Sequence, residues 1–224
     1  MYTAHILKPD EFVDFKKPNP FVAAAKAQDP ALVSFGAYRY RKWDMGDVNL
    51  VCRTTINSCM QTKTISPEPL PVTPESTHDL NETALVNTYV LNEFDHRAHG
   101  SGNSFEWRKK LDSQRGAVIA TEMKNNQAKL ARWTMESMLS GVDAIRIGFV
   151  SRTAVRDRKR HQILGSSILK PGDFQRQLAF NVENGWGIVK AIIDICFNLG
   201  DGKYVLLRDP NKAMLVLYQV SGAK

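Results

Sequence analysis

Cysteine is scarce. The three cysteines, Cys52, Cys59 and Cys196, form no C-x-x-C pair and leave one over. That excludes a disulfide framework and offers no zinc-ribbon spacing; reduced, half-buried packing thiols are expected. Long apolar runs are missing too: none approaches the roughly 20 residues of a membrane span. The opening MYTAHILKPDEF lacks the charged and apolar regions of a signal peptide, so a soluble, cytoplasmic protein is expected. No phosphate-binding glycine loop and no Ser/His/Asp set occurs, and His96 and His99 have no third ligand nearby. No cofactor, no metal and no catalytic residue is expected. Acid is also in short supply. Lys and Arg number 30 against 23 Asp and Glu, a net charge of +7, with a pI near 9.3. That balance suits an acidic partner, of which nucleic acid is the commonest.

What is present can build a core, for 43% of the 224 residues are hydrophobic. Residues 1–35 are polar and proline-punctuated and read as an extended lead-in. Residues 36–220 read as one domain. Within it, β-branched and alternating stretches predict strands over 47–57, 84–94, 116–123 and 144–153. Residues 61–80 hold four prolines and predict a mobile loop, and 96–104 is a Gly/Ser-rich loop. Helices are predicted over 126–141, capped by Asn125 or Asn126 and ended by Gly141, and over 184–202, apolar enough to be buried. KYVLLRDPNKAMLVLYQV (203–220) predicts a hairpin turning at Asp209, Pro210 and Asn211. The fold class is α+β, with mixed, mostly antiparallel sheets and two packed helices.

If 48–57 and 116–124 were paired strands, alternation would place Arg53, Thr55, Asn57, Glu122 and Lys124 on one wall of a cleft. The following helix would add Lys129, Arg132 and Glu136 as a polar stripe. A Glu-x-Lys strand is what a metal-dependent nuclease uses, but such chemistry needs several convergent carboxylates, and Thr55 and Asn57 stand where they would be wanted. Arg53, Asn57, Glu122, Lys124, Lys129 and Arg132 are therefore candidates for contacting RNA phosphates. A partly exposed Glu122–Lys124 ion pair, worth under about 1 kcal/mol, is the plainer alternative. The stretch 152–161 contributes Arg152, Arg156, Arg158, Lys159 and Arg160, a cluster able to neutralise phosphates. Trp133 and Trp186 fall among apolar helix positions and are expected to pack in the core.

Several stretches taken in order, FKKPNPF (15–21), AYRYRKWDMGD (37–47), RKKLDSQRGAVIATEMKNNQAKLARW (108–133), VENGWGIVKAIIDIC (182–196) and GKYVLLRDPNK (202–212), resemble the d-subunit family of eukaryotic translation initiation factor three. The resemblance implies a non-catalytic subunit near the mRNA on the small ribosomal subunit, alongside other factor subunits such as a, c and e, with RNA or a ribosomal surface as the partner of the basic stretch 152–161. It also implies a cap-binding domain able to hold the mRNA 5′ cap, similar in fold to decapping exonucleases. Glu122-Met123-Lys124 would then fall on the nuclease Glu-x-Lys strand, and Thr55-Ile56-Asn57 where a Glu-x-Asp strand stands. The rival this leaves is a residual metal-dependent decapping or 5′-end nuclease with Glu122 as its surviving ligand. Family proteins are much longer, with a docking tail and half of the cap-binding domain before the FKKPNPF stretch.

Overall fold

A computed structural model describes residues 37–61, 83–154, 157 and 159–220. The expected lead-in at 1–35 and the expected loop at 61–80 lie, but for a residue, outside them. The described chain divides into two units, one ending at Phe180 and one starting at Asn181.

The first unit is mixed α+β. Its opening ribbon pairs β1 (Ala37–Asp44) with β2 (Asn49–Ile56) antiparallel. The turn between them is held by the Asp44 carboxylate, which accepts the Gly46 N–H at 2.9 Å. After a single residue, Asn57, the chain re-enters as β3 (Ser58–Gln61), the edge of a four-stranded sheet ordered β3-β4-β5-β6. Here β4 is Thr83–Asn92, β5 Ala144–Arg152 and β6 His161–Leu169. The β4–β5 pair is parallel and its neighbours antiparallel. Strand β5 is enclosed along nearly its whole length, and its run of Ala144, Ile145, Ile147, Phe149 and Val150 is the near-continuous apolar signature of a strand covered on both faces.

A parallel pair needs a crossover. Between β4 and β5 it consists of a single turn α1 (Trp107–Lys110), then α2 (Arg115–Asn125) and α3 (Gln127–Ser140). Helix α4 (Pro171–Leu178), with proline in its first turn, follows β6. Trp107, Leu111, Val118, Leu130, Phe149 and Phe174 meet in the main core. Tyr89 stacks on Trp133 at 4.7 Å and 9°, and Trp107 sets its edge on Phe149 at 5.2 Å.

The expected strand at 116–123 is instead helix α2. Val118, Ile119 and Thr121 are β-branched and favour strand locally. The positions that turn inward, however, are 118 and 122, with 119 and 123 half-buried beside them, an i, i+4 spacing that only a helix satisfies. Tertiary burial overrode propensity. Strands β1 and β6 and helices α1 and α4 are further elements that sequence pattern alone did not predict.

The second unit holds α5 (Val182–Phe197) and the hairpin β7 (Tyr204–Arg208)–β8 (Leu215–Gln219). Asp209 accepts the Asn211 N–H at 2.8 Å in the expected turn. The expectation that this helix is buried is overturned: no α5 residue is buried, and Ile195 and Phe197 are exposed. One helix and a two-stranded ribbon supply too few layers to enclose an apolar helix. Trp186 is half-buried, short of the core position expected of it. Among the described residues no helix is long and apolar enough to cross a membrane.

Candidate nucleic-acid interface

The β1–β2 ribbon has two faces of opposite character. Arg39, Arg41 and Trp43 share one, across from Thr54, Cys52 and Leu50. This face meets the carboxyl end of α3. The Arg39 guanidinium donates to the Ser140 and Gly141 carbonyls at 3.0 and 2.9 Å, and that of Arg41 to Met138 and Leu139 at 3.1 and 3.2 Å. These are carbonyls of the last turn, of which Met138 also accepts the Gly141 N–H at 3.2 Å, and a cation there complements the helix dipole. Gly141 closes α3 at φ +63°, a conformation that favours glycine, and a Cβ there would lie 2.8 Å from the Arg41 guanidinium and have to push it aside.

The other face carries Tyr38, Tyr40 and Lys42 opposite Thr55, Arg53 and Val51, all exposed. Tyr40 is 66% exposed, and the Arg53 guanidinium lies 5.0 Å from the Tyr38 ring. Two rings and two cations thus stand together on an open sheet surface. The alternation Tyr-Arg-Tyr-Arg-Lys-Trp at 38–43 was the sequence signal for both faces.

The predicted cleft does not form. Arg53 projects from the outer face, away from the side of the ribbon that meets α3. Glu122 and Lys124 are two apart on a helix, where side chains do not share a face. Glu122 is buried at 4% exposure and Lys124 is exposed. Burial pushes the Glu122 carboxyl above its ordinary range, while the Asn126 hydrogen bond and the Lys129 charge draw it back. Asn126 Nδ2 donates to Glu122 Oε2 at 2.7 Å. Asn126, one of the two asparagines expected to cap α3, therefore serves the preceding helix and makes no side-chain cap. The Glu122–Lys124 ion pair is not formed.

Asn57 is also committed. Its Nδ2 donates to the Thr88 carbonyl at 3.0 Å and its Oδ1 accepts the Thr88 N–H at 2.8 Å. One side-chain amide thereby continues the β3–β4 ladder past the point where the backbone leaves for β2. Its amide is thus turned toward β4 and committed within the fold. Among the described residues no three His, Cys, Asp or Glu side chains come together in a way that could hold a metal ion. With Glu122 and Asn57 both bound internally, nothing here favours the nuclease rival.

Lys129 and Arg132 are exposed on α3. The Lys129 ammonium lies 5.5 Å from the Trp133 ring, and Arg132 pairs with Glu136 at 3.4 Å. Trp133 is enclosed between Tyr89 and Lys129, in agreement with its expected core position. Glu136 also accepts from the Tyr89 hydroxyl at 3.2 Å; burial, helped by the Glu136 charge and opposed by the Ser137 hydrogen bond, pushes that hydroxyl up to about 12. Of the basic stretch, Arg152, Lys159 and Arg160 are exposed at the β5–β6 connection, and Arg156 and Arg158 lie outside the described residues. Asp157, which carries no sequence signal of its own, staples this connection by accepting the Lys159 and Arg160 N–H groups at 2.9 and 3.1 Å. Cys52 and Cys59 are half-buried and Cys196 is exposed.

Fold and surface define a mixed α+β protein with cationic exposed faces. Residues 1–219 match the family model described as eukaryotic translation initiation factor 3 subunit 7 (eIF-3), and the chain belongs to that family. It is 41% identical over 221 residues to the D subunit of eukaryotic translation initiation factor 3 from Nasonia vitripennis, covering 98% of this chain and 36% of that protein. The Homo sapiens protein of the same name is 42% identical over 211 residues, 94% of this chain and 35% of its own length. That of Botryotinia fuckeliana is 44% identical over 213 residues, 93% and 34%. The chain thus spans about a third of the length of the curated relatives it matches.

Proposed function

We propose that the chain is an RNA-contacting part of a translation initiation factor subunit, one that acts by binding and helps bring mRNA to the small ribosomal subunit. In this reading it works in the cytoplasm within the multisubunit factor, with subunits such as a, c and e as neighbours. The observation that carries the reading is the outer face of the β1–β2 ribbon, where Arg53 and Lys42 stand beside the exposed rings of Tyr38 and Tyr40. Cations meet phosphates without reading sequence, and aromatic rings accept bases of any kind. Lys124, Lys129 and Arg132 are further exposed cations, on α2 and α3.

The 5′ cap belongs to the wider reading of the family. A cap site must grip phosphates and also stack the methylated, positively charged guanine on an aromatic ring. Trp133 is closed off by Tyr89 and Lys129, and Tyr38 and Tyr40 lie on an open sheet face that would stack any base without enclosing it, so this chain by itself is expected to bind capped and uncapped RNA alike. Fluorescence anisotropy at about 0.15 M salt with capped and uncapped forms of one short RNA tests both statements. RNA binding should weaken with salt, and Arg53→Gln should lower the slope of log K against log salt by roughly 0.7. No RNA binding at any salt overturns the function. A tenfold preference for the capped form, about 1.4 kcal/mol, overturns the account of the cap.

A further inference from the structure

A second cationic surface is assembled at one edge of the four-stranded sheet. Strands β4 and β5 run parallel, so their carboxyl ends emerge at this edge, where β6 begins opposite Arg152. The Glu93 N–H extends the pairing to the Val150 carbonyl at 2.8 Å, while its Oε1 accepts the Trp107 N–H at 2.6 Å. That carboxylate thus caps the turn α1, which lacks a side-chain cap from its own N-cap residue, Glu106. Trp107 and Leu111, one helical turn apart, are buried at 1% and 2% exposure. With those two turned inward, Arg108, Lys109 and Lys110 fan outward, and all three are exposed. The Arg108 guanidinium donates to the Arg152 carbonyl, which joins α1 to the β5–β6 connection and its exposed Lys159 and Arg160.

The acids at this edge are already engaged. Glu93 is bound to the Trp107 N–H, and Asp95 accepts the Arg97 N–H at 3.0 Å. Glu106 pairs with Lys109 at 2.8 Å, and Asp157 with Arg160 at 2.5 Å. The Lys109 ammonium holds the Glu106 carboxyl below its ordinary value, and the charges of His96 and Arg97 act in the same direction. Lys110 and Lys159 have no ion pair among the described residues. Next to Glu93 in the chain, which joins this edge to α1 and β5, Phe94 lies two residues past the end of β4 and is 52% exposed. Apolar burial does not account for it, and its ring is free to take a planar partner.

We propose that this edge is a binding site for single-stranded RNA, with Arg108, Lys110, Lys159 and Arg160 meeting phosphates and Phe94 stacking a base. It rests on the RNA reading above but is a separate surface from the β1–β2 face. Cations alone would suit any polyanion. The exposed ring at the same edge favours a strand whose bases are unpaired, because a duplex keeps its base faces covered. An acidic protein segment would satisfy the cations and leave Phe94 unused.

The test uses the 224-residue chain and a short fluorescein-labelled RNA, single-stranded or annealed to its complement, over a series of salt concentrations. Phe94→Leu keeps the apolar bulk and removes the stacking face. It should weaken single-strand binding roughly fivefold or more and leave the salt slope alone. Lys110→Gln combined with Lys159→Gln should lower the slope by roughly 1.4, about 0.7 for each phosphate no longer met. All three side chains are exposed, so the variants should melt as the parent does. If these substitutions change nothing while Arg53→Gln weakens binding, this edge is not a site and the β1–β2 reading stands. If the duplex binds as well as the single strand and Phe94→Leu is silent, the stacking role is overturned. Polyglutamate displacing RNA from the parent but not from the Lys110/Lys159 double variant would assign the edge to an acidic protein and overturn the RNA proposal. Absence of any RNA binding by the parent overturns both surfaces.

Discussion

Asn57→Asp separates a structural amide from a residual nuclease position. The side chains are nearly the same size, and an acid is what the nuclease comparison would place there. In the structure Asn57 gives one hydrogen bond to Thr88 and takes one from it, and Thr88 is 2% exposed. Aspartate keeps the acceptor and loses the donor. The Thr88 carbonyl is left without its partner, a loss of about 1–3 kcal/mol for a buried group, and an ionised oxygen now faces that carbonyl. The expected destabilisation is about 2–3 kcal/mol at pH 7. With a urea dependence of about 2 kcal/mol per molar, the midpoint falls by roughly 1–1.5 M. The pH dependence has a definite sign. The neutral acid can donate to the carbonyl and the anion cannot, so the folded state raises the new carboxyl above its unfolded value of about 3.9. The deficit relative to the parent is least below that pH and grows as pH rises through the folded value. Urea titrations of parent and variant at acid and neutral pH, read by tryptophan fluorescence, decide the matter. Midpoints that agree within about 0.25 M at pH 7, about 0.5 kcal/mol at that slope, would refute the view that this amide holds the junction of β2, β3 and β4.

Two further substitutions test neighbouring claims. Glu122→Gln retains an oxygen to accept from Asn126 and removes a buried charge. Because burial raises the native carboxyl above its ordinary 4.5, the parent loses stability as pH rises from that value through the native one; the variant should lack this slope and be as stable as the parent, or more so, at neutral pH in thermal melts. A large loss at pH 7 would mean the ionised carboxylate is needed. Gly141→Ala meets both the positive φ and the 2.8 Å approach of Arg41; it should cost about 1–3 kcal/mol in urea denaturation, and a neutral result would show that the arginine clamp on α3 yields easily.

The α+β class, β2, β4, β5, α3 and the closing hairpin could be read from sequence because periodicity and punctuation agreed there. Gly141 ends α3 where a left-handed cap was expected, and Asp209 turns the hairpin with its own carboxylate. The stretch 115–125 could not be read so simply. Its β-branched residues speak for strand, and the inward spacing of Val118 and Glu122 becomes visible only once the burial of a polar residue is admitted. Glu122 looks like a surface or active-site acid in sequence and is an enclosed one in the fold. The same gap hid Asn57, whose task depends on Thr88, thirty-one positions away. Sequence pattern reports which residue types suit a surface or a strand; it does not report that a side-chain amide will stand in for a missing backbone pair.

Helix α5 shows the limit from the other direction. Its composition asks for burial, and in the second unit Ile188, Ile195 and Phe197 remain exposed, as do Val205, Leu206 and Leu207 on β7. Consecutive residues of a strand point to opposite sides, so this ribbon carries apolar groups on both faces. A two-stranded ribbon has one helix to offer one of those faces at most, and an amphipathic layer is stable only against a second layer. Apolar periodicity therefore specifies that a surface is to be covered and is silent on the covering element. In β5 that element is supplied by sequence neighbours, with the α1–α3 crossover and β6 closing over it, and the expectation of a strand there holds. In α5 the same inference, drawn from an equally apolar stretch, fails because the neighbours in the described chain are too few. The difference between the two outcomes lies in how many layers the surrounding chain contributes, which is a property of topology and not of the segment itself.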